Sequence, residues 1–301
     1  MQRWLLIPLL RLLSHLPFWV WYRISDVLFL LLYHVVGYRK KVVKRNLSLS
    51  FPNKSRQELK SIERKFYRHL CDVVVEAVKS HRISRKVLAE RVINDDNGLY
   101  YRLYREGKSC IAVMGHCGNF EWIPPFAAIS VPHFTQGLYH PLKNEAFEQF
   151  TRESRGRFGS GLLPMDLALR TMIEQRKQGE LTATAFIADQ TPSSPASAYW
   201  TIFLNQETPF FTGTAKIAKK MGLALSFIAI YKEKRGHYRC VSELICEDAS
   251  AWTEEALNEA WIRRLEQNIA EQPWNWLWSH RRWKHTRPEG LTLHGNALPA
   301  Q

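Results

Sequence analysis

The residues of this chain best suited to do chemistry lie in residues 113–122, where His116 and Glu121 stand five positions apart. Histidine is the usual general base because its unperturbed pKa lies near neutrality. A carboxylate can fix the tautomer of the imidazole and stabilise the imidazolium that forms. A tight turn after His116 would let Glu121 supply that contact. Such a pair can remove a proton from a hydroxyl, with His116 as base and Glu121 in support; the alternative from spacing alone is a histidine that caps a helix beside a solvated carboxylate.

Short apolar runs bounded by turn residues predict the strands that must position these side chains. Residues 109–115, 181–188 and 223–231 form such runs, and residues 237–244 are predicted as an edge strand. Helical patterns precede and separate them, at residues 55–80, 119–129, 143–156, 166–177, 210–221 and 253–271. The alternation predicts an α/β fold with a mixed, largely parallel sheet flanked by helices. Ligands bind beyond the carboxyl ends of such strands, and His116 follows the first run.

Composition limits the class of partner. The 301 residues carry a formal net charge of +14, which favours a polyanion such as nucleic acid, an anionic membrane or a phosphorylated lipid. Nucleic acid is disfavoured because the basic residues are scattered and form no recognisable motif. The five cysteines lack paired metal spacing, and the spacing of His116 and Glu121 differs from the His-Glu-x-x-His zinc motif. No metal site is predicted.

The N-terminal residues predict a membrane anchor. Residues 17–37 form an apolar block, and a spanning helix needs roughly 20 mostly apolar residues. Arg23 and Asp26 interrupt it on one helical face, where they could pair with each other or meet protein. The basic run at 38–45 predicts that the following domain lies on the cytoplasmic side. The prediction is an anchoring helix within residues 1–45 and a catalytic domain at 46–301; a single span and an in-plane helix both stay open.

Motifs along nearly the whole chain resemble those of the late, Kdo-dependent lipid A biosynthesis acyltransferases, in the lysophospholipid-acyltransferase-like superfamily. They are the sequences at residues 45–47, 115–122, 155–159, 188–192 and 273–284. The resemblance implies transfer of a fatty acyl chain from acyl carrier protein, or acyl-CoA, to a hydroxyl of an anionic glycolipid, a lipid A precursor. It implies no cofactor, and a location at the bacterial inner membrane. His116 and Glu121 fall on the family's catalytic dyad.

The same resemblance implies residues that bind substrate near the dyad. Asn119 lies inside the motif of His116. Either Arg155 or Arg157 is expected to meet a phosphate or the oxyanion, and the alternative is that both arginines cap the C-terminus of a helix.

Two further pairs of residues are predicted to bind substrate. Asp189 and Gln190 follow the apolar run at 181–188, so both should point into the same cleft. Arg281 and Arg282 are candidates for contact with an acidic lipid or the carrier protein. The tryptophans around them either pack against the final helix or form an interfacial belt.

Two alternative functions remain open from the sequence. An acyltransferase for a glycerophospholipid or an amino-acid lipid would use the same dyad. A membrane-tethered module that binds anionic lipid without turnover would need only the basic surface. The identity of the acceptor distinguishes the first alternative from a lipid A acyltransferase, and the presence of turnover distinguishes an enzyme from the second.

Overall fold

The computed structural model of the chain describes residues 2–142 and 144–295. Its helices are α1 (Gln2–Leu13), α2 (Phe18–Phe29), α3 (Lys40–Ser50), α4 (Arg56–Ser80), α5 (Arg85–Arg91), α6 (Leu99–Arg105), α7 (Ile123–Ser130), α8 (Glu145–Arg155), α9 (Ala168–Lys177), α10 (Gly213–Met221) and α11 (Glu254–Glu271). Its strands are β1 (Val92–Asp95), β2 (Cys110–Met114), β3 (Phe134–Tyr139), β4 (Gly161–Pro164), β5 (Thr182–Ile187), β6 (Tyr199–Phe203), β7 (Gln206–Phe210), β8 (Ala224–Lys234) and β9 (His237–Cys246).

The predicted α/β fold with a mixed, largely parallel sheet is confirmed. Seven strands form one sheet in the order β1-β9-β8-β2-β5-β3-β4, and every neighbouring pair is parallel except β8 with β9. All five residues of β2 are buried, because helices cover both faces of this central strand. The carboxyl ends of β2 and β5 therefore meet at one edge of the sheet.

Three features of the sheet differ from the prediction. The strand predicted at the edge, β9, lies inside the sheet because Val92–Asp95, which was not predicted as a strand, pairs with it. Strands β3 and β4 were not predicted, since each is short and contains glycine. The hairpin of β6 and β7 was also missed: its turn uses positive φ at Leu204 and Asn205 without the Asn-Gly sequence that usually marks such turns.

Helix α4 lies between α2 and the end of the sheet where β2 and β5 terminate. Its first turn carries a capping box: Ser55 accepts a hydrogen bond from the backbone N–H of Glu58, whose carboxylate accepts one from the N–H of Ser55. Helix α2 packs against one side of α4, and the turn that follows β2 packs against another. Side chains of α4 can therefore touch both elements.

The N-terminal apolar block is helical and packs on the domain. Helix α2 continues as a π-helical segment, Leu30–Val36, and Phe18–Val36 is the one helix among the described residues that is long and apolar enough to cross a membrane. Every fourth residue is buried, namely Trp21, Ser25, Phe29 and Tyr33.

The exposed side chains of this helix are mainly apolar, although Arg23 and His34 are also exposed. Trp19 is 70% exposed and Val35 is 75% exposed. Asp26, predicted to pair with Arg23 or meet protein, forms an ion pair with Arg235 of the turn between β8 and β9, at 2.8 Å. The division of the chain at residue 45 stays a prediction, and that position lies inside α3.

Candidate active site

The register of β2 and β5 places His116 beside Asp189. Met114 pairs with Ile187 in these parallel strands, so the second residue beyond each strand end is His116 on one side and Asp189 on the other. His116 Nδ1 lies 2.5 Å from Asp189 Oδ1, and the backbone N–H of His116 donates to Oδ2 at 2.9 Å. A Cβ on Gly115 would lie 3.3 Å from Asp189 Oδ2 and 2.5 Å from a methyl carbon of Leu265. Glycine therefore permits this close approach.

Asp189 is a buried carboxylate with several donors. Its side chain is 2% exposed, and Trp276 Nε1 donates to Oδ2 at 2.6 Å. Burial by itself raises the pKa of Asp189, but the charge and hydrogen bonds of His116 and the N–H of Trp276 outweigh burial and lower the pKa to about 2. Asp189 is therefore ionised at neutral pH and can only accept hydrogen bonds.

The acceptor character of Asp189 fixes the tautomer of His116. Nδ1 must carry the proton that points to Asp189, so Nε2 of the neutral ring has a free lone pair. Gln190 Nε2 lies 3.1 Å from His116 Nε2 and donates to that lone pair. The ring of Phe120 meets the imidazole edge to face, with centroids 4.8 Å apart. His116 is thus held in the orientation of a general base.

The carboxylate hydrogen-bonded to His116 is Asp189, which corrects the predicted contact with Glu121. Glu121 instead forms a bidentate ion pair with Arg155: Nε donates to Oε2 at 2.9 Å and Nη2 donates to Oε1 at 2.8 Å. The reason is geometric, because the chain turns into a 3₁₀ turn at Phe120–Trp122 that directs Glu121 towards α8. Glu121 still lines the same cavity as His116.

The turn after β2 is fixed by a glycine and by the C-terminal segment. Gly118 has φ +56°, and a Cβ there would lie 2.4 Å from the side chain of Ile230. Its N–H makes a bifurcated hydrogen bond to Asn275. The acceptors are the backbone carbonyl oxygen at 3.0 Å and the side-chain Oδ1 at 3.1 Å. The segment that supplies Trp276 to Asp189 therefore also holds the turn of His116.

Three adjoining cavities lie at this edge of the sheet and below it. One is lined by His116, Glu121 and apolar side chains of α4. A second shares Phe120 with the first and is lined by Arg155. A third shares Gly137 and four other residues with the second and lies between α7 and the sheet. The walls of all three are mainly apolar.

The geometry does not favour metal or thiol chemistry at this site. Within residues 2–142 and 144–295, no group of three or more His, Cys, Asp or Glu side chains is placed to hold a metal ion. Cys117 adjoins His116 but is buried, and burial together with the nearby charge of Asp189 raises the pKa of its thiol well above the usual value. Its thiolate is therefore not available as a nucleophile.

Comparison with known proteins identifies the chemistry. Residues 1–285 match the family described as bacterial lipid A biosynthesis acyltransferase. The chain belongs to this family. It is 27% identical to the lipid A biosynthesis lauroyltransferase of Escherichia coli (strain K12), over 96% of this chain and 92% of that protein. It is 23% identical, over 84% of this chain and 80% of each relative, to the palmitoleoyltransferase of the same strain and to a lipid A biosynthesis acyltransferase of Shigella flexneri.

The family assignment confirms the resemblance drawn from the motifs and makes the chain an acyltransferase. The alternative of a binding module without turnover is therefore dropped. His116 and Asp189 are the pair that the fold brings together in this acyltransferase, and Gln190 lies beside them; that Gln190 binds substrate stays a prediction.

The structure separates the two candidate arginines. Arg155 lines the second cavity and pairs with Glu121, whereas Arg157 donates to the backbone carbonyls of His81 and Ile83 just beyond α4, at 2.6 and 2.8 Å. Arg157 therefore has the capping role that was the alternative. Asn119 is buried and hydrogen-bonds within the protein, with its Nδ2 donating to Glu76 and its Oδ1 accepting from Trp122, so it holds the turn.

The two C-terminal arginines occupy different environments. Arg281 is exposed, and its contact with an acidic partner stays a prediction. Arg282 is fully buried, which contradicts the expected contact with a lipid headgroup or carrier protein. Its Nη2 donates to the carbonyl of Pro209, its guanidinium lies 4.4 Å from the ring centre of Phe210, and desolvation lowers its pKa to about 9. Trp276 and Trp278 are also buried, so these two pack rather than form a belt.

Sequence reasoning missed two residues at this site. Trp276 donates to Asp189, and no pattern in the aromatic segment singles it out from its neighbours. Glu76 binds Asn119 from inside α4. A usable signal existed for Glu76, since His69, Asp72 and Glu76 stand at helical spacing among the apolar residues that predict the buried side of α4.

Proposed function

We propose that this acyltransferase moves a fatty acyl chain from the thioester of acyl carrier protein to a hydroxyl of a lipid A precursor, with His116 as general base. The observation that carries the proposal is the contact of His116 Nδ1 with the buried carboxylate of Asp189, which leaves Nε2 at the mouth of the cavity as proton acceptor. The names of the relatives support lipid A as the acceptor class.

The reaction takes place in one complex of both substrates. The acceptor hydroxyl displaces the Gln190 amide from His116 Nε2 and transfers its proton there as its oxygen attacks the thioester carbonyl. The new C–O bond forms, the C–S bond breaks, and the imidazolium returns the proton to the departing thiolate. Asp189 stabilises the imidazolium in the interval, since the two charges are in direct contact.

Arg155 is proposed to stabilise the oxyanion. Glu121 engages its Nε and Nη2, and Nη1 makes no hydrogen bond within the described residues. A guanidinium held by a bidentate pair is pre-organised, so it can stabilise developing charge without reorganisation. In this proposal Glu121 acts through Arg155 and not through His116.

The apolar cavities are proposed to take the acyl chain. The cavity beside His116 adjoins the cavity of Arg155, which adjoins the cavity under α7, and together they lead from the reacting groups into the apolar core. A buried apolar chain is favoured by roughly 0.8 kcal/mol per CH₂. The arrangement lets the thioester carbonyl lie near His116 while its tail is buried.

The N-terminal helix is proposed to lie in the plane of the inner membrane, with the catalytic domain on the cytoplasmic side. Its buried residues run from Trp21 to Tyr33, so the domain contacts the helix along nearly its whole length. Trp19 and Val35 are exposed apolar side chains of the same helix. A helix held in this way suits an interfacial position. The chain has eleven tryptophans, so the signal of Trp19 is taken as the difference between the wild type and Trp19→Phe. For that difference, lipids brominated near the headgroups should quench most strongly, and strongest quenching at the bilayer centre would contradict an in-plane helix.

Purified protein in detergent or nanodiscs tests the activity. We expect transfer from labelled acyl carrier protein to a lipid A precursor, and little transfer to a lysophospholipid or an amino-acid lipid under the same conditions. Mass spectrometry of lipid A from a deletion strain, before and after complementation, identifies the added chain. Equal or faster transfer to the lysophospholipid would overturn the proposed acceptor class, and a loss of transfer in His116→Ala checks that the activity belongs to this site.

A further inference from the structure

One buried carboxylate in α4 touches both the N-terminal helix and the catalytic turn. Glu76 is 1% exposed. Its oxygens accept hydrogen bonds from Tyr22 Oη at 3.0 Å, from Asn119 Nδ2 at 2.7 Å and from Tyr238 Oη at 2.7 Å. Tyr22 belongs to α2, Asn119 to the turn after β2, and Tyr238 to β9. A single side chain thus joins three elements that are distant in sequence.

Glu76 needs these hydrogen bonds because it is buried. A buried charge costs several kcal/mol unless hydrogen bonds and nearby charges compensate it. Burial raises the pKa of Glu76, and Lys232 together with the hydroxyls of Tyr238 and Tyr22 opposes that rise. Tyr22 is the donor to Oε1, so loss of its hydroxyl leaves a buried acceptor unsatisfied, whereas Oε2 is shared by Asn119 and Tyr238.

The contact with Asn119 reaches His116 through the turn. Asn119 Oδ1 accepts from the backbone N–H of Trp122 at 3.2 Å, and Trp122 Nε1 donates to the backbone carbonyl of Glu76 at 3.0 Å. The same helix supplies His69, whose Nε2 lies 3.2 Å from the carbonyl oxygen of Gly118. Residues 118–122 are therefore supported by α4 along their whole length, and His116 stands two residues before them.

We propose that Glu76 is a positioning residue that couples the seating of α2 to the geometry of the turn that carries His116. The hydrogen bond from Tyr22 connects α2 to Glu76, and the hydrogen bond from Asn119 connects Glu76 to the turn. The inference rests on the proposed function for its consequence, which is that transfer is fastest when α2 is docked on the domain. Glu76 touches no substrate in this account.

The most selective test is Tyr22→Phe, which removes one hydroxyl and keeps the ring against Phe18 and Arg235. We expect kcat to fall about tenfold, as the loss of one hydrogen bond to a charged group implies, with KM for both substrates unchanged. Glu76→Ala should lose more, and Glu76→Gln should restore part of the loss, because its amide oxygen can still accept from Asn119 and Tyr238. Tyr33→Phe is the matched control: its ring stacks on Phe29 of the same helix, away from Glu76.

Hydrogen exchange of backbone amides gives a readout that does not depend on activity. In Tyr22→Phe, the peptide covering residues 116–122 should exchange faster than in the wild type, while residues 182–187 of β5 should not change. A wild-type kcat with wild-type exchange at 116–122 would overturn the proposal, and so would a uniform increase that includes β5. If the wild type transfers no acyl group, the proposed function fails, and the exchange pattern still decides whether Glu76 positions the turn.

Discussion

Two carboxylates lie near the cavity beside His116, one lining it (Glu121) and one buried behind the imidazole (Asp189), and their partners give them different capacities. Asp189 is 2% exposed and bonds the imidazole of His116, whereas Glu121 is 22% exposed and bonds the guanidinium of Arg155. The nearer one in sequence, Glu121, is not the one that contacts His116. Neighbouring parallel strands bring together residues that are 73 positions apart.

The comparison shows how one site can hold two charge pairs with separate tasks. A buried carboxylate on a histidine sets the tautomer and stabilises the imidazolium, while a carboxylate on an arginine sets the direction of a fixed cation. In the proposed mechanism the first task controls proton transfer and the second stabilises the charge that develops on the substrate. Substitutions should therefore affect the two pairs differently.

The largest effect is expected at the base itself. His116→Gln removes the proton acceptor but keeps a polar side chain, and we expect kcat to fall by roughly 10³-fold or more, because general base catalysis contributes 10²–10⁴-fold. Single-turnover transfer from labelled acyl carrier protein measures it. A rate within tenfold of the wild type in a correctly folded variant would contradict the role of His116.

Asp189→Asn should come close to that effect although it is almost isosteric. The backbone N–H of His116 and Trp276 both donate to Oδ2, so the amide oxygen must take that position and the NH₂ must face Nδ1. The ring is then forced into the tautomer with a proton on Nε2, which cannot accept another. We expect kcat to fall about 10³-fold, by analogy with the loss of the carboxylate in Ser-His-Asp triads. A loss below tenfold in the same assay would contradict this.

Substitutions in the other pair should cost less. Glu121→Gln leaves the tautomer of His116 intact and loosens Arg155, so we expect roughly 10- to 10²-fold lower kcat, the range for weakened oxyanion stabilisation. Arg155→Lys should give a similar loss. The double variant should be little worse than either single one, because both act through one contact. Additive losses would show that Glu121 has a separate role.

A smaller effect is expected from filling the apolar cavities away from both pairs. Gly137 lines two of them, and a Cβ at this position meets no atom within 4 Å. Gly137→Leu should shift the preferred acyl chain to a shorter one, with the rate on that chain within about threefold of the wild type, a cost of roughly 0.6 kcal/mol. Gly213→Ala, a glycine with equal space at the start of α10, is the control. Unchanged chain preference would contradict the assignment of the cavities.

The smallest effect concerns stability and pH. The pKa of Asp189 is about 2 against an ordinary 3.8, so its stabilising contribution is present above pH 3.8 and is lost as the pH falls through 2. This contribution is about 2 kcal/mol in the free energy of unfolding. Asp189→Asn should lack that part of the pH dependence, and Glu121→Gln should retain it. Denaturant unfolding of the three proteins at several pH values measures the difference.

The sequence allowed four of the seven strands of the sheet, the strand-end position of His116 and the placement of Asp189 and Gln190 at the same cleft to be predicted, because apolar runs and turn residues are local signals. It did not allow the partner of His116 to be predicted correctly, since that depends on the register between β2 and β5. The burial of Arg282 and the donor role of Trp276 depend on how the C-terminal segment folds back over the turn. No local pattern encodes such a contact.

The central claim is that Asp189, and not Glu121, fixes the tautomer of His116. Nitrogen-15 NMR of histidine-labelled protein at neutral pH, with the signal of His116 assigned by its loss in His116→Gln, tests this directly. The account predicts a proton on Nδ1 in the wild type and in Glu121→Gln, and a proton on Nε2 in Asp189→Asn. A tautomer that changes in Glu121→Gln but persists in Asp189→Asn would contradict it.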